Sequence, residues 1–252
     1  MVLSALRGGF AFLSTLPLAA EERHWDAFRQ APWVFPLVGL AIGIGPALFL
    51  LLPLPPALEP VMTVVLLYTI VGITHLDGLA DTLDALAAHH LVTPAERRAV
   101  MHDHSIGVAA VLGITLALGG LVGVFGALQS LPAMAMIGVV VLAEVLAKTA
   151  MVVLACLTTP AHEGLGARIS AVVDRSDVRW VALAATPGFL IGLTSGVDVV
   201  IIMLLTASLM TWLLRRASIA LVGGISGDTL GASNELVRLG TLSAGVIVWT
   251  LS

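Results

Sequence analysis

Three aspartates, Asp77, Asp81 and Asp84, fall within two helical turns in ITHLDGLADTLDAL, residues 73–86. They stand at the end of the apolar run VMTVVLLYTIVGITH. On a helix advancing about 100° per residue, these positions lie at about 0°, 40° and −20°, so the three carboxylates share one face. Like charges that close repel strongly where the dielectric is low, and something must neutralise them. A set of oxygen donors on one helix face suits a hard cation, Mg²⁺ or alternatively Mn²⁺. His75 and Thr82 stand near enough to support such ligands. A solvated helix end with scattered acids is the plainer reading, but residues 73–96 contain no Lys or Arg to balance the charge.

Three further polar stretches have the same character. MHDHSIG, residues 101–107, offers Asp103 as a fourth carboxylate, between His102 and His104. With His89 and His90 these histidines raise zinc as an alternative. Zinc sites need tight spacing and a closed ligand set, so solvated loop histidines are the better reading. PAHEGLGARIS, residues 160–170, sets Glu163 and two glycines beside Arg168, a turn-prone segment with a cation suited to phosphate. In GGISGDTLGASNELVRLG, residues 223–240, Gly223, Gly224, Gly227 and Gly231 precede or interleave Asp228, Thr229, Asn234 and Glu235. If residues 228–238 are helical, Asp228, Gly231 and Glu235 share a face. Gly-rich backbone, Gly227 included, followed by a helix start at Asp228 is a common way to cradle a phosphate. The lysine of a nucleotide-binding P-loop is missing, so this is not read as an ATPase. Close helix packing would explain the glycines but not the acids.

These motifs are carried by an apolar chain. Of its 252 residues 58% are hydrophobic and 11% charged, with a mean hydropathy of +1.04, whereas soluble domains carry about 25% charged residues. The fold expected is all-α, a polytopic helical bundle in the lipid bilayer forming one domain, residues 1–252. Crossing the hydrocarbon takes about 20 apolar residues. Seven segments approach this: 35–53, 60–76, 106–128, 132–156, 180–194, 197–214 and 239–252. The count is six if the short last segment does not cross, and Pro187 is expected to break the fifth. Residues 3–16, interrupted by Arg7, read as an amphipathic helix at the interface rather than a cleaved signal. All of the twelve Lys and Arg residues except Lys148 precede the first segment or fall in alternate loops. The positive-inside rule puts those loops, the N-terminus and the four polar motifs in the cytoplasm. The net charge of −4 gives no basic surface for nucleic acid. Cys156, the single cysteine, excludes an intrachain disulfide and reads as a buried small hydrophobe. Within the fourth segment Glu144 and Lys148 are spaced for an i,i+4 ion pair. Ionisable groups at membrane depth are expensive and often functional. Lys148 is therefore read as an anion-binding group near the same site, or else as half of a packing pair.

The stretches HLDGLADTLDAL, MHDHSIGVAAV, EGLGARIS and GGISGDTLGASNE, in this order, resemble the cobalamin synthase family, the adenosylcobinamide-GDP ribazoletransferases. The resemblance implies a membrane enzyme of the cell membrane that joins adenosylcobinamide-GDP to α-ribazole or its 5′-phosphate. The products would be adenosylcobalamin or its 5′-phosphate, and GMP, with Mg²⁺ as cofactor. It implies Asp77, Asp81, Asp84 and Asp103 as the metal shell, with Asp81 as a general base. His75, His104, Lys148, Glu163, Arg168, Gly227, Asp228, Thr229, Asn234 and Glu235 would bind substrate. A homo-oligomer and a complex with other late enzymes of that pathway both stay open as assemblies. Two other classes are weighed. A CDP-alcohol phosphotransferase would need Ala-Arg where this chain has Ala80–Asp81. A cation transporter would need acids lining a path through the spans, and only Glu144 lies well inside one.

Overall fold

The computed structural model describes residues 1–88, 90, 93–101 and 105–251. Among these the regular structure is helical: α1 Val2–Leu13, α2 Glu22–Arg29, α3 Val34–Phe49, α4 Glu59–Val71, α5 Thr74–Ala87, α6 Pro94–Met101, α7 Val108–Leu128, α8 Ala133–Leu157, α9 Leu165–Ser170, α10 Val178–Gly192, α11 Val197–Val222 and α12 Gly227–Leu251. Four helical stretches, Val108–Leu128, Ala133–Leu157, Arg175–Ser195 and Val197–Val222, are long and apolar enough to cross a membrane; counting two bent pairs as single spans gives six. The protein is thus an all-α, multi-pass membrane protein.

The apolar segments fall on helices, with departures from expectation at the second, the fifth and the last. The second segment does not continue to residue 76. It stops at Val71, and after Gly72 the chain turns by 96° into α5. Gly72 adopts φ +72°, a conformation costly for residues with a Cβ, which is what allows so sharp a corner. The last segment does not begin at residue 239. Residues 227–251 form one helix of 25 residues, about 37 Å long. The fourth polar motif is therefore the first half of a membrane-length helix rather than a loop before one. Pro187 does not break α10, which runs through it.

The helix α8 is the axis of the bundle, its apolar window 89% buried. It packs closely on α3 because Gly39 and Gly43 present no side chain. A Cβ at Gly39 would lie 2.6 Å from the Glu144 carbonyl oxygen, and one at Gly43 2.9 Å from the Val141 Cα. This small-xxx-small spacing lets two backbones approach where lipid offers no hydrophobic gain from association. The helix ends then sort into two sets. On one side short turns close α3 to α4, α7 to α8 and α10 to α11. There Gln129 Nε2 donates to the Pro56 carbonyl and Thr194 Oγ1 to that of Met134.

On the other side gather α1, α2, α5, α6, α9 and the start of α12. Backbone hydrogen bonds from Ala161 to Ile225 (2.8 Å) and from Ile225 to Thr159 (3.0 Å) tie the third motif's loop to the fourth. Several basic residues on this side close helix C-termini. Arg98 Nη1 donates to the Val222 carbonyl at 2.7 Å, and Arg215 Nε to that of Leu157 at 3.1 Å. Such contacts satisfy carbonyls that the helices leave without partners.

Candidate active site

The two motifs richest in aspartate and glycine meet where α5 crosses the start of α12. A Cβ at Gly78 would lie 2.7 Å from the Asp228 carbonyl oxygen, and one at Gly231 3.0 Å from the His75 Cα. The two backbones touch because both crossing positions are glycine. Ser226 caps α12: its Oγ accepts from Thr229 N (3.2 Å), and Thr229 Oγ1 accepts from Ser226 N (2.8 Å). This reciprocal cap fixes the direction in which α12 starts. The short helix α9 docks beside it, where a Cβ at Gly166 would lie 3.1 Å from the Ser226 carbonyl carbon.

Between these elements lies a cavity of about 350 Å³. Asp77 of α5 and Asp228 of α12 both line it, beside Thr74, His75 and Gly227. The remaining lining comes from α1, α4, α8, α9 and α12 and is apolar. His75 is 8% exposed, and its Nδ1 makes no hydrogen bond. Two carboxylates on a cavity wall that carries neither Lys nor Arg form an oxygen-donor set suited to Mg²⁺. That ion takes one or two carboxylates and completes its shell with water and substrate phosphate. Among the described residues no three Asp, Glu, His or Cys side chains gather as a metal cage. The fit is therefore to a cation shared with substrate, not one enclosed by protein.

Asp84 has a second task. Its Oδ2 accepts from Gly107 N at 2.7 Å and its Oδ1 from Ala110 N at 2.9 Å, so it closes the N-terminus of α7 from a neighbouring helix. A carboxylate there satisfies free amides and complements the helix dipole. Any Cβ at Gly107 would run into this carboxylate. Asp81 is half-buried on α5 one turn beyond Asp77.

Further along α12, beneath the cavity, the structure holds a buried ionic network. Arg238, expected in a loop, is fully buried. Its Nε donates to Glu144 Oε1, its Nη2 to Glu144 Oε2 at 3.1 Å, and its Nη1 to both Glu235 oxygens at 2.7 Å. Tyr68, the single tyrosine, donates to Glu235 Oε2 at 2.7 Å. Lys148 Nζ donates to Asn234 Oδ1 at 2.6 Å, and Asn234 Nδ2 to Glu235 Oε1 at 3.0 Å. The expected Glu144–Lys148 pair is thus replaced, because each residue finds a partner on α12. Two cations and two carboxylates balance one another, which is how charge is tolerated at this depth.

The expected substrate-binding residues divide accordingly. His75, Gly227 and Asp228 line the cavity together with Asp77. Lys148, Asn234 and Glu235 are buried in the network below it. The Thr229 hydroxyl is used in the helix cap. Glu163 and Arg168 are exposed on the α9 segment. Asp103 and His104, with His89 and His102, lie outside the described residues. Cys156 is buried, as expected. Sequence reasoning missed Phe12 of α1 and Ile169 of α9 as cavity walls, and Tyr68 and Arg238 as network members. An isolated tyrosine within an apolar run, and an Arg three residues after Glu235, were the available signals.

Comparison with known proteins points to one family. A family model described as Cobalamin-5-phosphate synthase matches residues 5–246. A protein named adenosylcobinamide-GDP ribazoletransferase from Haloquadratum walsbyi is 39% identical over 100% of both chains. One of the same name from Halorubrum lacusprofundi is also 39% identical, over 99% of each. Another, from Pseudomonas paraeruginosa, is 34% identical over 96% of this chain and 97% of its own. No solved structure matches. A match of this extent leaves neither the CDP-alcohol phosphotransferase nor the cation transporter reading any ground.

Proposed function

The chain belongs to the cobalamin-5-phosphate synthase family, and from that premise we propose that it is an adenosylcobinamide-GDP ribazoletransferase. It would join adenosylcobinamide-GDP to α-ribazole or its 5′-phosphate and release GMP. The observation that carries the reading is that Asp77 and Asp228, from motifs far apart in sequence, face one cavity at one end of the bundle.

A hydroxyl of the ribazole attacks the phosphorus that bears the cobinamide arm. The new P–O bond forms as the bond to the bridging diphosphate oxygen breaks, and GMP departs with that oxygen. Asp81 takes the proton of the attacking hydroxyl, acting as general base. Asp77 and Asp228 would hold Mg²⁺, which when bound offsets the charge developing on the phosphoryl oxygens. The α12 N-terminus, with Gly227 at its first turn, would set the positive end of the helix dipole beside a phosphate. Asp84 holds the start of α7 against α5 and so keeps the aspartate helix in place. The buried network fixes α12 against α8 and α4, which keeps Asp228 opposite Asp77. The loop-rich end of the molecule, with its helix-capping arginines, faces the cytoplasm by the positive-inside rule, and the enzyme resides in the cell membrane.

Purified protein in nanodiscs, given adenosylcobinamide-GDP, α-ribazole 5′-phosphate and Mg²⁺, should release GMP and a cobalamin product, both resolved by chromatography. Asp77→Ala and Asp228→Ala should yield neither. A folded wild-type protein that makes no product would overturn the assignment.

A further inference from the structure

We infer that the cavity beside Asp77 and Asp228 takes the apolar aromatic base of the acceptor nucleoside, with His75 Nδ1 as its polar partner. This rests on the reaction proposed above and names which substrate occupies the site. The cavity, about 350 Å³, falls within the range of small-molecule sites, roughly 300–1,000 Å³. It suits a nucleoside and is far too small for a corrinoid macrocycle. Its walls away from the aspartates come from Phe12, Val71, Met151, Ile169 and Leu230. A guanine would leave most of its donors and acceptors unpaired against such walls, at a cost for each. An apolar bicyclic base with few polar atoms would not.

Phe12 is the aromatic face of this pocket. Its ring lies 4.9 Å from that of Trp25 and 5.6 Å from that of Phe28, which hold it in place. It stays 36% exposed, so it offers a face for a stacked base. At the other side His75 is nine-tenths buried, and its Nδ1 is without a partner. Buried polar atoms are nearly always satisfied, and one that lines a ligand-sized cavity points to a ligand. The sugar of a nucleoside bound this way lies towards Asp77 and Asp228, where its hydroxyl is consumed.

Two measurements test this. Calorimetric titration of α-ribazole into the full-length protein in nanodiscs, without donor, should show binding that guanosine does not displace. Phe12→Ala and His75→Gln should each weaken that binding about tenfold. In turnover assays the same variants should raise KM for α-ribazole by a similar factor and leave KM for adenosylcobinamide-GDP unchanged. Phe12→Ala is the safer variant, because the side chain is partly exposed. Displacement by guanosine, or a rise in the donor KM instead, would overturn the inference. If wild type binds α-ribazole and Phe12→Ala does not, yet no turnover occurs, the cavity assignment stands and the reaction falls. Absence of α-ribazole binding to wild type that turns over would sink the cavity assignment alone.

Discussion

Gly78 and Asp228 touch through their backbones: a methyl group at 78 would lie 2.7 Å from the Asp228 carbonyl oxygen and 2.8 Å from its Cα. Backbone cannot give way as a flexible side chain can. Gly78→Ala should therefore push α5 off α12, separate Asp77 from Asp228, and cut turnover at least tenfold. Such overpacking also costs about 1–3 kcal/mol of stability. Initial rates and the melting midpoint of the same preparation check both effects. Unchanged rates would show that the crossing does not set the distance between the two carboxylates.

The proposed Mg²⁺ should be removable. EDTA is expected to stop GMP release, and added Mg²⁺ to restore it. Asp77→Asn and Asp228→Asn should each raise the Mg²⁺ concentration for half-maximal rate at least tenfold, since charge is the main attraction in an all-oxygen site. A titration of rate against free Mg²⁺ reads this directly.

The buried network makes an asymmetric prediction. Arg238→Leu strands Glu144 and Glu235, two carboxylates that now share one guanidinium. Its cost should be about 3–5 kcal/mol. The fourfold change Glu144→Gln, Lys148→Gln, Glu235→Gln and Arg238→Gln should recover much of the loss, because no uncompensated charge of the network remains. Unfolding in mixed micelles by increasing detergent denaturant compares the variants.

Asp84 should behave as a helix cap. Asp84→Ala frees the amides of Gly107 and Ala110, and losing a cap of this kind costs about 0.5–2 kcal/mol. Hydrogen exchange in residues 107–111 should accelerate, while the rest of α7 stays protected. If exchange there is unchanged, the carboxylate is not what holds the helix start.

The large features were legible because they are local. A mean hydropathy of +1.04 puts the chain in lipid, where backbone must close its hydrogen bonds as helices or barrels, and continuous apolar runs of near 20 residues select helices. The four polar motifs each stand in one short stretch, so their identity could be read directly. The helical phase that puts Asp77, Asp81 and Asp84 on one face also follows from local geometry. What could not be read depends on contacts between distant residues. Arg238 and Glu144 are 94 positions apart, and Tyr68 and Glu235 are 167 apart. Spacing along the chain therefore pointed to Glu144–Lys148 instead. Nor does periodicity reveal that Asp84 closes another helix, or that Gly72 turns the aspartate helix through 96°. By itself the sequence determined that this is a helical membrane protein with four polar motifs rich in acids and glycines. Only the tertiary structure decided which of their side chains face a common cavity and which neutralise one another beneath it. A buried charge takes whichever partner the packed helices bring nearest, not the one nearest in sequence.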